Sequence, residues 1–192
     1  MLEVHPLIRA RRSSYAFDSR PLTREQIRVL FEAARWAPSS FNEQPWRFLI
    51  ATREEPEAFE RLANVMSPWN RAFAAKAPLL GLSAARMVFA KNGLPNPHAF
   101  HDVGLATENL SLQAVAMGLQ TFFVAGYDVD AAKAVIDPAE TWRPVAMFAI
   151  GYAGRVDELD EVYRKKEARE RTRQPLDAIL FEGEWGRGHR ET

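Results

Sequence analysis

Apolar positions recur along this chain in two periods. Ile27, Leu30, Phe31 and Ala34 are spaced by three and four, which predicts an amphipathic helix. Its start is written in Leu22-Thr23-Arg24-Glu25-Gln26-Ile27. Thr23 can accept from the amide of Gln26, Gln26 can reach back, and Leu22 can pack on Ile27. Pro38 stops this helix, and Pro56 opens another with Phe59, Leu62, Ala63 and Met66 on one face. Residues 102–119 are apolar on two sides. Val103, Ala106, Leu110, Ala114 and Met117 form one, and Leu105, Leu112, Ala116 and Leu119 the other. A helix apolar all round is expected to be central and buried, with Gly118 as its end. Short apolar runs at 48–51, 79–84, 121–126 and 144–151 read as core strands. Helices and strands mix without a regular βαβ rhythm. That predicts an α+β fold, a small sheet wrapped by helices. No repeat, linker or domain boundary is visible, so residues 1–192 read as one domain.

Composition narrows the partners. The chain has 192 residues, 47% hydrophobic and 26% charged, enough for one sizeable core. Lys plus Arg and Asp plus Glu number 25 each, so no overall field draws in nucleic acid or an anionic membrane. The absence of cysteine excludes disulfides, thiolate metal sites and cysteine nucleophiles, and fits a reducing compartment. Met1-Leu2-Glu3-Val4-His5-Pro6 lacks the layout of a signal peptide. The longest apolar stretch, 77–90, is short and holds Arg86, so no membrane span is expected. A cytoplasmic protein is the expectation.

The chemistry concentrates in Ala37-Pro38-Ser39-Ser40-Phe41-Asn42-Glu43-Gln44-Pro45-Trp46-Arg47-Phe48. Proline fixes φ, and the Ser and Asn side chains bond nearby backbone. A rigid polar loop that enters a core strand can hold hydrogen-bonding groups against a flat, heteroatom-rich ligand. By itself it is equally an ordinary helix-to-strand connection. About one helix earlier stands Arg9-Ala10-Arg11-Arg12-Ser13-Ser14-Tyr15-Ala16-Phe17-Asp18. Together these two segments resemble the nitroreductase family of FMN-dependent oxidoreductases. The family's opening motif resembles Arg-Arg-Ser-x-Arg-x-Phe, and its next resembles Ala-Pro-Ser-Ser-x-Asn-x-Gln-Pro-Trp. The second is matched throughout. The first departs at Tyr15, where the family usually has a cation.

The resemblance implies a mainly antiparallel sheet wrapped by helices, in an intertwined homodimer. The tail from about residue 163 would then pack on the partner subunit. It also implies FMN as cofactor. The FMN phosphate needs cations and short donors, which Arg11, Arg12 and Ser13 supply. Arg171-Thr172-Arg173-Gln174-Pro175-Leu176 resembles the family's C-terminal basic motif, which also faces the phosphate. Read without that likeness, the run 164–171 mixes both signs and looks like a solvated helix face. Tyr15 either leaves this task to Arg171 and Arg173 or donates its own hydroxyl. Pro38, Ser39, Ser40 and Asn42 resemble residues that line the cofactor across the dimer interface. Ala125-Gly126-Tyr127-Asp128 resembles the turn beside the flavin ring, although Ala125 stands where many members carry an acid. There Gly126 permits close backbone approach, or serves a plain strand-to-helix turn. Asn70 resembles the family's ring-contacting Asn, while Trp69 and Phe73 beside it fit helix packing equally well.

No Gly-x-Gly-x-x-Gly follows a strand, so a separate dinucleotide domain is not expected. NADH or NADPH would stack on the flavin in an open pocket. A small, electron-poor aromatic acceptor such as a nitroaromatic or quinone would then take its place, in a ping-pong scheme. Hydride transfer itself requires no side-chain acid, so no catalytic residue is named. His98-x-x-His101-Asp102 places two imidazoles on one helical face, but a third ligand is not evident and no metal is expected. The departures at Tyr15 and Ala125 keep two other outcomes open. One is different flavin chemistry, such as dehalogenation, substrate oxidation or flavin fragmentation. The other is a flavin-binding carrier or sensor without turnover.

Overall fold

The computed structural model describes residues 3–136 and 141–188. Its elements run α1 (Pro6–Ala10), β1 (Phe17–Asp18), α2 (Arg24–Arg35), β2 (Trp46–Thr52), α3 (Pro56–Val65) and α4 (Pro68–Ala74). They continue as β3 (Leu79–Arg86), α5 (Ala99–Ala116), β4 (Gln120–Val124), α6 (Val129–Ile136), β5 (Trp142–Ala153) and α7 (Glu161–Glu167). The expected α+β class is what is found.

β5 is the centre of the sheet because it is long enough to pair with three strands. β3 lies along one side, from Leu79 opposite Ile150 to Arg86 opposite Trp142. On the other side β4 runs from Gln120 opposite Gly151 to Val124 opposite Met147, and β1 continues the edge with Phe17 opposite Ala153. β2 pairs outside β3. All these pairings are antiparallel. Pro144 inside β5 has no N–H for the ladder, and the register shifts beside it, between Ser83 and Ala84. Ser83 Oγ repairs the break. It donates to Ala146 O at 3.0 Å and accepts from Ala146 N–H at 3.2 Å.

Both faces of the sheet are covered, which explains why β3 reads as a continuous apolar run. Leu80, Leu82, Met147 and Ala149 point into a core with Phe59 and Leu62 of α3 and Phe73 of α4. Their alternates Leu79, Phe148 and Ile150 join Leu30 of α2 with Val103 and Leu110 of α5.

The capping box of α2 forms as read. Gln26 N–H donates to Thr23 Oγ1 at 3.1 Å, and Thr23 N–H to Gln26 Oε1 at 2.9 Å. α5 departs from expectation. Val103, Ala106, Leu110 and Ala114 are buried, but Leu105 and Leu112 are only partly so and Ala116 is exposed. Within one chain it is a one-sided helix. It closes in a Schellman motif, with Leu119 N–H on Ala114 O, Gly118 N–H on Val115 O, and Gly118 at φ 71°.

Candidate functional site

Residues 11–15 leave α1 as an extended segment and lie against the start of β4. Ser13 forms a parallel bridge with Thr121, and Ser14 N–H donates to Thr121 O at 3.3 Å. Alternation then turns Ser14 inward, to near-complete burial, while Ser13 faces out. The Tyr15 ring enters the core against Phe73, Phe122 and Tyr163, at centroid distances of 4.7, 4.9 and 5.8 Å. Burial raises its phenol above the ordinary value, and the nearby Glu167 carboxylate adds to the rise.

The cations gather at this end. Arg171 donates to the carbonyls of Arg9 and Arg11, the latter at 2.5 Å, so the tail folds back over residues 9–11. Arg11 is mostly buried and lies 3.8 Å from Glu108 Oε1 of α5. Arg12 turns to Glu167, pairing with its carboxylate at 3.2 Å and donating to its carbonyl. The Arg12 Nε is buried and has no partner among the described residues. Arg173 is not drawn in. It is exposed and donates to Thr172 O at 2.8 Å.

A second cluster sits at the far end of β4. Ser67 caps α4, and its backbone N–H donates to Gly126 O at 3.1 Å. Asn70 Nδ2 donates to the same carbonyl at 2.9 Å and to Ser67 Oγ at 3.0 Å. A Cβ on Gly126 would stand 2.7 Å from Asn70 Nδ2, so only glycine permits this contact. Asn70 and Gly126, far apart in sequence, are thus joined. β4 rises on the order of 13 Å from Gln120 to Val124, with the basic segment at its start and the amide pair beyond its end.

The 38–42 loop stands elsewhere in the chain, at the start of α5. Ser39 Oγ accepts from Gln44 N–H at 2.9 Å, and Ser40 N–H donates to Asp102 Oδ2 at 3.1 Å. Phe41, Asn42 and Gln44 adopt φ of 52°, 55° and 49°, a conformation uncommon outside glycine. Asn42 Oδ1 and O both accept from Gln44 Nε2, which holds the turn. Pro38 and Asn42 are exposed, and Phe41 is 88% exposed.

Sequence reading missed two buried carboxylates, Glu167 and Asp102. Glu167 lay inside the charged run read as a solvated face. Its signal was the spacing from Tyr163, four residues earlier on α7, which is also buried. His98 sits at the start of α5, and His101 Nδ1 lies 3.3 Å from Asp102 Oδ1. Among the described residues no group of three His, Asp or Glu is arranged to hold a metal.

With this geometry in view, comparison with known proteins is decisive. The Nitroreductase family model matches residues 8–152. The chain belongs to the Nitroreductase family. A Streptomyces coelicolor protein provisionally named NADH dehydrogenase/NAD(P)H nitroreductase is 31% identical over 169 residues, covering 77% of this chain and 84% of that one. A crystal structure described as an oxidoreductase containing FMN superposes with a TM-score of 0.90 at 28% identity, over 96% of this chain and 93% of that chain. A Desulfovibrio desulfuricans protein solved with FMN shares the fold, with a TM-score of 0.72 at 24% identity over 95% of this chain and 99% of that one. In this member, the family's first motif is the segment bonded to Thr121, and the 38–42 motif is the strained loop at α5.

Proposed function

We propose that this chain binds FMN and acts as an NAD(P)H-dependent oxidoreductase that reduces an electron-poor aromatic acceptor, such as a nitroaromatic or quinone. One observation carries the reading. Arg11, Arg12 and Arg171 converge at one end of β4, and the Asn70–Gly126 pair stands at the other. The residues fit the cofactor's chemistry. Glu167 already offsets Arg12, so the positive charge left to receive an anion is that of Arg11, with Glu108 3.8 Å away, and of Arg171, which the tail brings onto the segment. The FMN-containing relative supports the same cofactor here.

On this reading Arg11, Ser13 and Arg171 bind the phosphate, with Arg12 and Tyr15 shaping the segment and Arg173 near its rim. Asn70 and the Gly126 N–H orient the ring. Gly126 is suited to this because its carbonyl is already held by Ser67 and Asn70. Pro38, Ser39, Ser40 and Asn42 complete the site across a homodimer. Bound FMN would supply the hydride chemistry, taking hydride from NADH or NADPH and passing it to the acceptor. The protein residues provide binding, orientation and exclusion of water. We propose the cytoplasm as the compartment. The lack of cysteine suits a reducing environment. Among the described residues no helix is long and apolar enough to cross a membrane.

Titration of flavin-free protein with FMN and with riboflavin tests the site. Arg11→Ala should lose FMN affinity by about ten- to a hundredfold, or ~1.5–3 kcal/mol, through loss of a charge-assisted hydrogen bond. Riboflavin, which lacks the phosphate, should lose far less. Equal losses for both flavins would show that Arg11 acts through folding. Purified protein should be yellow and bleach with NADH or NADPH, and a protein that takes up no flavin sinks the proposal.

A further inference from the structure

Two side chains of the tail grip the basic segment with opposite charge. Glu167 closes α7 and is 8% exposed, among the most buried charged groups of the chain. Its Oε1 accepts from Ser14 Oγ at 3.1 Å and pairs with Arg12 Nη2 at 3.2 Å. Its Oε2 accepts from Tyr15 N–H at 2.5 Å. Its backbone carbonyl accepts from Arg12 as well. Four residues on, Arg171 binds the carbonyls of Arg9 and Arg11.

One carboxylate therefore gathers donors from three residues of one short segment, 12, 14 and 15. Such a group sets backbone shape, because every donor it holds fixes a neighbouring residue. Ser13, between the residues so held, is exposed, and Arg11 stands just before them. We infer that Glu167 is a positioning residue, and that Arg12 is the strut joining it to the segment and not a ligand of the phosphate. The inference rests on the FMN reading and divides its labour. Arg11, Ser13 and Arg171 meet the anion, and Arg12 acts through Glu167. A glutamine at 167 keeps the size but has one acceptor oxygen and presents an N–H₂ to other donors. It cannot hold Arg12, Ser14 and Tyr15 N–H together.

The test is a double-mutant cycle on the full chain, read by titration with FMN and with riboflavin and by thermal unfolding. The proteins are wild type, Arg12→Met, Glu167→Gln and the double variant. If Arg12 is a strut, each single change weakens both flavins by a similar factor, about tenfold. The FMN-to-riboflavin affinity ratio then stays within about twofold of wild type. The double variant binds no worse than the weaker single, and its loss of melting temperature falls short of the sum. Arg11→Ala in the same assay lowers that ratio at least tenfold. The inference is overturned if Arg12→Met lowers the ratio as Arg11→Ala does, or if the two changes add fully. If Glu167→Gln does not fold, Arg12→Met alone still decides, since parallel losses support the strut and selective loss of FMN refutes it. Wild-type protein that binds neither flavin overturns the FMN reading itself, before any variant is compared.

Discussion

Asp102 shows how much one buried side chain can organise. It is almost fully buried in the first turn of α5, where a carboxylate also suits the helix dipole. Its Oδ2 holds the N–H of Ser40, the residue just before two positive-φ residues, Phe41 and Asn42. An aromatic residue in that conformation is strained, and persists only where its surroundings over-determine it. Removing the acceptor leaves a part-buried N–H without a partner, at a cost of about 1–3 kcal/mol. Asp102→Ala should therefore lower unfolding free energy in urea by that order. Asp102→Asn, which keeps an acceptor oxygen, should lose less than half as much. An alanine variant as stable as wild type would show that the loop is held by Ser39 and Gln44 alone. Asp102 was not legible as a buried group, and for Glu167 the spacing from Tyr163 was the one sign, because an acid reads as a surface residue until its distant donor is known. What makes each essential is a donor at 62 or 152–155 residues' distance in sequence.

At the scale of elements, Gly81 explains how β3 and β5 lie together. It faces Phe148 directly across the ladder, and a Cβ there would come within 2.2 Å of the ring. The ring also approaches Phe31, Phe48 and Phe123, which hold it in place. Gly81→Ala must push a fully buried phenylalanine aside, so a destabilisation of about 1–3 kcal/mol or more is expected. Thermal unfolding measures it, and adding Phe148→Leu should recover part of the loss by opening space. No recovery in the double variant would mean that the backbone, not the ring, takes the strain. The run 79–84 was readable as a strand from its apolar character, but its glycine was not interpretable until its cross-strand partner was known. The α2 cap was readable in full, since Thr23 and Gln26 are three residues apart and need no other element.

For the whole molecule, the unresolved demand is on its apolar surface. Leu176, Ile179, Leu180 and Trp185 are exposed along the tail, Trp185 at 91%. Trp36 and Phe41 are exposed on the chain around the 38–42 loop, and the second side of α5 is only partly covered. Such surface on one chain marks an interaction site. A homodimer is the proposed occupant. Sedimentation equilibrium at micromolar concentration should give about twice the 21.8 kDa chain mass. Deleting residues 176–188 should shift the equilibrium toward the monomer and weaken FMN together with it. A monomeric full-length protein that binds FMN normally would remove the dimer from the site.

Some of this protein was determined by sequence alone because the signals are local or periodic. Helix caps act over three residues, strand and helix periods over a dozen, and the family's motifs over ten. These sufficed for the α+β class and for naming the segments here proposed to form the site. Tertiary structure decided which of those segments meet. Ser13 found Thr121, Asn70 found Gly126, and Arg171 found Arg11, each through backbone groups that every residue carries and no pattern distinguishes. It also divided the cations. Arg11, Arg12, Arg171 and Arg173 look alike in sequence, yet a buried Glu167 claims one of them, two carbonyls claim another, and Arg173 stays exposed. Charge can be counted along a chain, but the partner that fixes its role is chosen by the fold.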